Sequence, residues 1–330
     1  MVIPKISVCI PVYNASCYIK RCLYSLFENT LAPECEFIIV DDCCTDNSLA
    51  IANQVLENFP KIRQNVFFFS HDTNRGSAAS RNTALEHALS DFILYVDADD
   101  WVEKNYLEKM YAEISQKNAD VVICAYFEEY NNGEKKKTKT VVPIAKKKTK
   151  DEIYADFISD RIQGYCWNKI IRKSLFTERS IRFMEGIDLW EDVLILSKIM
   201  FYAQSIYFVE EPIYHYEKRT VASISNSMSV QKYGQMLDAM QLIRQFLLEN
   251  NIWDKFNDSF LCRCVTAKII VIRKLPKKLR PYTTLFTDEE KSFIMKRFSN
   301  KKLRLVGLLI IKKHYGLANC SYFLSRFVLR

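Results

Sequence analysis

Three carboxylates stand within four positions at Asp97, Asp99 and Asp100, directly after the apolar run Ile93-Leu94-Tyr95-Val96 and just before Trp101. The run reads as a buried strand, and like charges this close cannot all sit buried unpaired, so something positive has to meet them. In an extended backbone, Asp97 and Asp99 project to the same side. Ligands of open parallel α/β sheets gather at the carboxyl ends of the strands, and a divalent cation carrying a nucleoside diphosphate would supply the missing charge. Asp100, immediately ahead of Trp101-Val102-Glu103, equally suits the start of a helix.

The elements that must hold these acids follow from hydrophobic patterning. Ile6-Ser7-Val8-Cys9-Ile10-Pro11 reads as a first strand, and Ile19, Cys22, Leu23, Leu26 and Phe27 recur as one face of a helix would. Phe37-Ile38-Ile39-Val40 is a second strand that also ends in acid, at Asp41 and Asp42, with a helix to about residue 57. Val66-Phe67-Phe68-Phe69 makes a third, followed by Asn74-Arg75-Gly76 and a helix over about 77–89 carrying Arg81 and Asn82; the run into Asp97 is the fourth. Strands alternating with crossover helices require parallel pairing, hence a doubly wound, mostly parallel Rossmann-like α/β sheet. A helix beyond Trp101 to about Gln116 and a strand over 120–127 continue the pattern. Residues 131–150 read as an exposed hairpin or mobile loop, with a short edge strand near Thr138 to Val142. Beyond Asp151 the pattern turns mostly helical, with a brief return to strand over 206–216 and a helical extension from about 226.

A hydrophobic share of 49% is that of a packed globular chain, and 11 cysteines scattered through apolar runs match neither a disulfide framework nor paired zinc knuckles. Residues 131–150 hold 8 Lys against 1 Glu, and residues 255–330 hold 18 Lys and Arg against 4 Asp and Glu. The remainder is acidic, with 21 basic against 34 acidic side chains, so the basic tail is the part expected to meet an anionic surface or to present a solvated face. The apolar run Leu303 to Ile311, bordered by Lys301, Lys302, Arg304, Lys312, Lys313 and Arg326, is too short to span a bilayer but could lie on one or pack as an amphipathic helix. The opening residues lack a basic start and apolar core of the signal-peptide type, so a cytoplasmic location is expected, and no nucleic-acid partner is.

Taken together and in this order, Pro11-Val12-Tyr13-Asn14, Val40-Asp41-Asp42 with Thr45-Asp46, Asn74-Arg75-Gly76, Arg81-Asn82 and Val96-Asp97-Ala98-Asp99-Asp100-Trp101 resemble the inverting family 2 glycosyltransferases of the GT-A fold. Trp167-Asn168-Lys169 and Glu191-Asp192 resemble that family's later motifs, so the likeness covers about residues 5–225. It implies a GT-A domain over 1–225, with a nucleotide-sugar half to about 130 and an acceptor half over about 151–225, and a basic helical region over 226–330. One departure is Cys43-Cys44, where the family usually has Gly-Ser; a loop conformation with positive φ is harder to make there.

The resemblance also implies roles. Pro11, Tyr13, Asn14, Asp41, Asp42, Asn74, Arg75, Arg81, Asp97 and Ala98 would line the nucleotide-sugar site, with Tyr13 against a flat base and Asp41 accepting from a uracil imide N–H. Arg75 and Arg81 could offset the acids or contact phosphate. Asp99 would coordinate Mn2+ or Mg2+, His215 would add a metal or phosphate contact, Asp192 would be the general base, Glu191 would support it, and Trp167 and Trp190 would present sugar platforms. Each residue also has a plainer reading as strand-end cover, helix cap or core aromatic. The expected reaction is transfer from a UDP-sugar to a saccharide or glycolipid acceptor at the inner membrane face, in cell-surface polysaccharide or glycolipid synthesis. The alternatives are a nucleotidyltransferase, which would want a Gly-rich phosphate loop that Tyr13-Asn14-Ala15-Ser16 does not provide, and an inactive nucleotide-binding protein.

Overall fold

The computed structural model describes residues 3–131, 136–141, 148–218, 229–274, 285–314 and 317–318. By internal contacts the chain divides into two units, one of residues 1–154 with 163–223 and one of residues 155–162 with 224–330.

The first unit is built on one sheet. Strands β1 (Ser7–Val12), β2 (Glu36–Asp41), β3 (Val66–Ser70) and β4 (Phe92–Tyr95) alternate with helices α1 (Ile19–Phe27), α2 (Ser48–Glu57) and α3 (Gly76–His87). They pair in parallel in the order β3-β2-β1-β4, so the carboxyl ends of β1, β2 and β4 share one rim. Continuous apolar sequence makes this possible, because β1, β2 and β4 are covered on both faces, and Ile10, Ile39 and Leu94 are fully buried.

The sheet then changes character. After β5 (Trp101–Val102), α4 (Tyr106–Gln116), β6 (Val121–Asn131), β7 (Lys136–Val141) and α5 (Lys150–Ile158), strand β8 (Lys169–Arg172) inserts antiparallel between β4 and β6. A short α6 (Ser174–Thr177) and then α7 (Glu191–Tyr202) lead to β9 (Ile206–Lys218), which pairs in parallel with β6 and antiparallel with β5. Two expectations are corrected. Trp101 begins a strand rather than a helix, because Trp101 and Val102 pair with His215 and Tyr214 of β9. Helical sequence was expected after Asp151, yet Lys169-Ile170-Ile171-Arg172 is a core strand, with Ile170 and Ile171 fully buried. The edge strand expected near Thr138 is β7, antiparallel to β6, while 132–135 and 142–147 of the Lys-rich hairpin lie outside the described residues.

The second unit contains α8 (Val230–Glu249), α9 (Trp253–Lys274), α10 (Asp288–Lys296) and α11 (Lys301–Ile311). Its core joins Leu261, Val265 and Ile269 of α9 to Phe293, Ile294, Val306 and Ile310. A buried ion pair, Lys268 to Glu290 at 2.7 Å, crosses from α9 to the capping box of α10. No helix among the described residues is long and apolar enough to cross a membrane. Arg326 and the rest of the tail beyond Ala318 lie outside the described residues.

Candidate active site

β4 delivers the acidic turn to the rim. Asp100 is fully buried, and its oxygens accept from Tyr214 Oη at 2.6 Å and from Glu217 N at 2.8 Å, tying the turn to β9. Burial first, then Asp99 and Asp97, hold its carboxyl well above the usual range. Asp97 and Asp99 stay partly open to solvent. One oxygen from each of the three acids lies within 4.8 Å of the others. Such a set of hard oxygen donors fits Mn2+ or Mg2+ rather than a soft metal, and with Asp100 committed to β9 the fitting pair is Asp97 and Asp99.

The second half of the site meets the first through one guanidinium. Arg81, on α3, has a side chain only 5% exposed; its Nη2 donates to Asp97 Oδ1 at 3.0 Å and its Nη1 to Asp192 Oδ1 at 2.8 Å and Glu191 Oε1 at 3.1 Å. Burial works against its charge, but Asp192, Asp97 and Glu191 hold it well above its ordinary pKa. Trp190, with φ 75°, turns the chain into α7 so that Glu191 and Asp192 open the helix. Asp192 Oδ2 accepts from Cys166 N at 2.9 Å. Glu191 also accepts from Ser77 Oγ at 3.1 Å, and burial, then Asp192, push its carboxyl up to about 7. At Asp97, burial outweighs Arg81 and raises the carboxyl to about 6.

The turns after β1 and β2 form the neighbouring rim. Tyr13 is 49% exposed beside Asn14, whose Oδ1 accepts from Thr45 N at 2.9 Å. Asp41 Oδ1 accepts from Cys44 N at 2.8 Å. Cys43 has φ 61°, so the left-handed conformation that glycine would favour is made here by a cysteine. Cys44 Sγ donates to Val12 O at 3.5 Å, and burial pushes its thiol up to about 12. Pro11 lies within β1 beside Val40, and Ala98 is buried in the acidic turn.

Four of the expected site residues have other partners in this structure. Both ring nitrogens of His215 have carboxylate partners: Nδ1 lies 2.8 Å from Glu129 and Nε2 2.8 Å from Glu103, and the ring stacks on Trp101. Trp167 is 2% exposed and stacks with Tyr165, Tyr214 and Tyr216, which makes it core rather than a sugar platform. Asp42 is committed to architecture. Its Oδ1 accepts from Arg75 N and meets His71 Nδ1, and its Oδ2 accepts from Gly76 N, which fixes the start of α3. Arg75 turns outward to pair with Glu185, both side chains being 46% exposed. Asn74 Nδ2 donates to Asp42 O at 3.4 Å. Tyr214 and Lys169 are structural keys to which the sequence assigned no role, although Lys169 stands in the motif Trp167-Asn168-Lys169. Their partners lie in other strands or along a loop, so no local spacing marks them.

An acidic strand end that faces a helix-borne carboxylate across a parallel nucleotide-binding rim is the layout of a GT-A glycosyltransferase. The model of glycosyl transferase family 2 matches residues 7–178, and the chain belongs to that family. It is 30% identical over 301 residues to the putative glycosyltransferase EpsH of Bacillus subtilis, covering 86% of this chain and 84% of EpsH. It is 29% identical over 262 residues to the poly(ribitol-phosphate) beta-N-acetylglucosaminyltransferase TarS of Staphylococcus aureus, covering 78% of this chain but only 43% of TarS. The crystal structure of TarS 1–349 superposes with a TM-score of 0.64 at 22% identity over 97% of this chain and 91% of that one, and the same segment is known in complex with UDP-GlcNAc (TM-score 0.59).

Proposed function

We propose that this glycosyltransferase moves a sugar from a UDP-sugar to an acceptor hydroxyl with inversion, Asp192 serving as general base. The observation that carries this reading is the shared Arg81, which holds Asp97 of the donor rim and Asp192 of α7 on one guanidinium. A base fixed to the donor site in this way can act on the face opposite the leaving group. The acceptor oxygen attacks the anomeric carbon as the bond to the diphosphate oxygen breaks, and the hydroxyl proton passes to Asp192. Its carboxylate already accepts from Arg81 and Cys166 N, and each oxygen has a second lone pair for that proton.

Tyr13 would lie against the uracil, Asp41 would accept from its imide N–H, and Asp97 with Ala98 would face the ribose. Asp99, with Asp97, would hold Mn2+ or Mg2+, whose charge would stabilise the departing diphosphate. Trp190 and Glu191 border Asp192 and would meet the acceptor. That acceptor would be a saccharide or glycolipid of cell-surface polysaccharide synthesis; among the relatives, TarS is a poly(ribitol-phosphate) beta-N-acetylglucosaminyltransferase. Presentation at the inner membrane face would suit exposed Lys301, Lys302, Lys312 and Lys313 around α11.

A panel of nucleotide sugars with Mn2+, read by UDP release, identifies the donor, and Asp192→Asn tests the base. Removing a general base costs about 10²- to 10⁴-fold in transfer. UDP affinity should stay within about threefold, and full activity in Asp192→Asn would exclude the role.

A further inference from the structure

We infer that Lys169 is a positioning residue for Asp192: its buried ammonium clamps the 163–168 loop, and that loop's Cys166 N–H orients the carboxylate. The inference rests on reading Asp192 as the base. Lys169 opens β8 and is fully buried. Its Nζ donates to Gln163 O at 2.9 Å, Tyr165 O at 2.7 Å and Asn168 Oδ1 at 2.8 Å. An ammonium has three donors, and these three bonds fall on both sides of Cys166 within one short loop.

Each neighbour of Cys166 in that loop is fixed in turn. Trp167 O accepts from Tyr106 Oη at 3.0 Å, the Trp167 ring stacks 4.5 Å from Tyr214, and Asn168 Nδ2 donates to Cys124 O at 3.1 Å. The direct link from this clamp to the base is the 2.9 Å bond from Cys166 N to Asp192 Oδ2. An apolar side chain could fill the same space without the cost of burying a charge. A lysine there fixes the loop's shape, which is what a base needs to keep its bearing.

Three variants of the full chain are compared, using UDP release from UDP-GlcNAc or from whichever member of the donor panel reacts fastest. In Lys169→Met, kcat should fall about 30-fold while donor KM, and UDP affinity with Mn2+ by calorimetry, change less than about threefold. Asn168→Ala keeps the ammonium but removes one acceptor, and should lower kcat about fivefold in the same pattern; it also serves should Lys169→Met not fold. Wild-type kcat in Lys169→Met would overturn the positioning role, as would equal losses in kcat and UDP affinity or failure of both variants to fold. Asp192→Asn is run alongside. Loss of transfer there beside normal Lys169→Met sinks the positioning role alone, whereas retained transfer sinks the base and the inference with it.

Discussion

The turns after β2 and β4 both place carboxylates at strand ends on the same rim, and they use them in opposite ways. After β2, Asp41 accepts from Cys44 N, Asp42 from Arg75 N and Gly76 N, and Asp46 from Ser16 N and Ser48 N. Against a burial penalty, the bonds from Ser48 and Ser16 hold Asp46 down to about 2. These acids are neutralised by backbone and shape the loops. After β4, Asp97 has Arg81 and Asp100 has β9, and beyond burial Asp99 pushes up the carboxyl of Asp97, and Asp99 with Asp97 that of Asp100. The lesson is that the number of acids at a strand end does not mark a cation site. What marks one is a set of carboxylate oxygens gathered close enough to share a single ion, as at Asp97, Asp99 and Asp100.

The comparison breaks first at Asp42. Asp42→Ala leaves the N–H groups of Arg75 and Gly76 without their acceptor in a buried position, so unfolding in urea should show a loss of about 2–4 kcal/mol. Asp99→Asn should do the reverse in metal-free protein, with stability unchanged or up to about 1 kcal/mol higher because repulsion of Asp97 and Asp100 is relieved. Equal losses at both positions would erase the distinction.

A smaller effect belongs to pH. Glu191 has its folded pKa raised to about 7, so between its ordinary value and 7 the folded protein holds a proton that the unfolded chain has released. Its contribution is complete below about pH 4.5 and is lost as pH rises toward 7, by up to about 1.4 kcal/mol per unit. Urea titrations at several pH values should show that slope in the wild type and a flatter one in Glu191→Gln. The smallest effect is at Cys43, where the left-handed φ lets Cys43→Gly gain at most about 1 kcal/mol despite the entropy glycine adds to the unfolded chain. A clear loss of stability would mean that the thiol supports the loop.

The parallel half of the sheet was legible because its strands are unbroken apolar runs and their exits are marked by acid, Asn and Gly. The positive φ at Cys43 was legible too, as a glycine position filled by something else. Strand β8 was not, since Lys169 and Arg172 give it charged ends and the lysine's burial depends on carbonyls of its own loop. Nor could sequence spacing show that Arg81 joins residues 16 and 111 positions away, or that Trp167 faces tyrosines instead of solvent. Those facts arise only when β4, α3 and α7 converge.

Calorimetry of UDP binding, with and without Mn2+, on wild-type protein and Asp99→Asn goes straight to the cation at the β4 rim. Manganese should tighten UDP binding to the wild type and make little difference to Asp99→Asn, whose affinity with manganese should be at least about 100-fold weaker, or some 2.7 kcal/mol. Equal manganese-dependent binding by both proteins would show that Asp99 holds no metal–nucleotide.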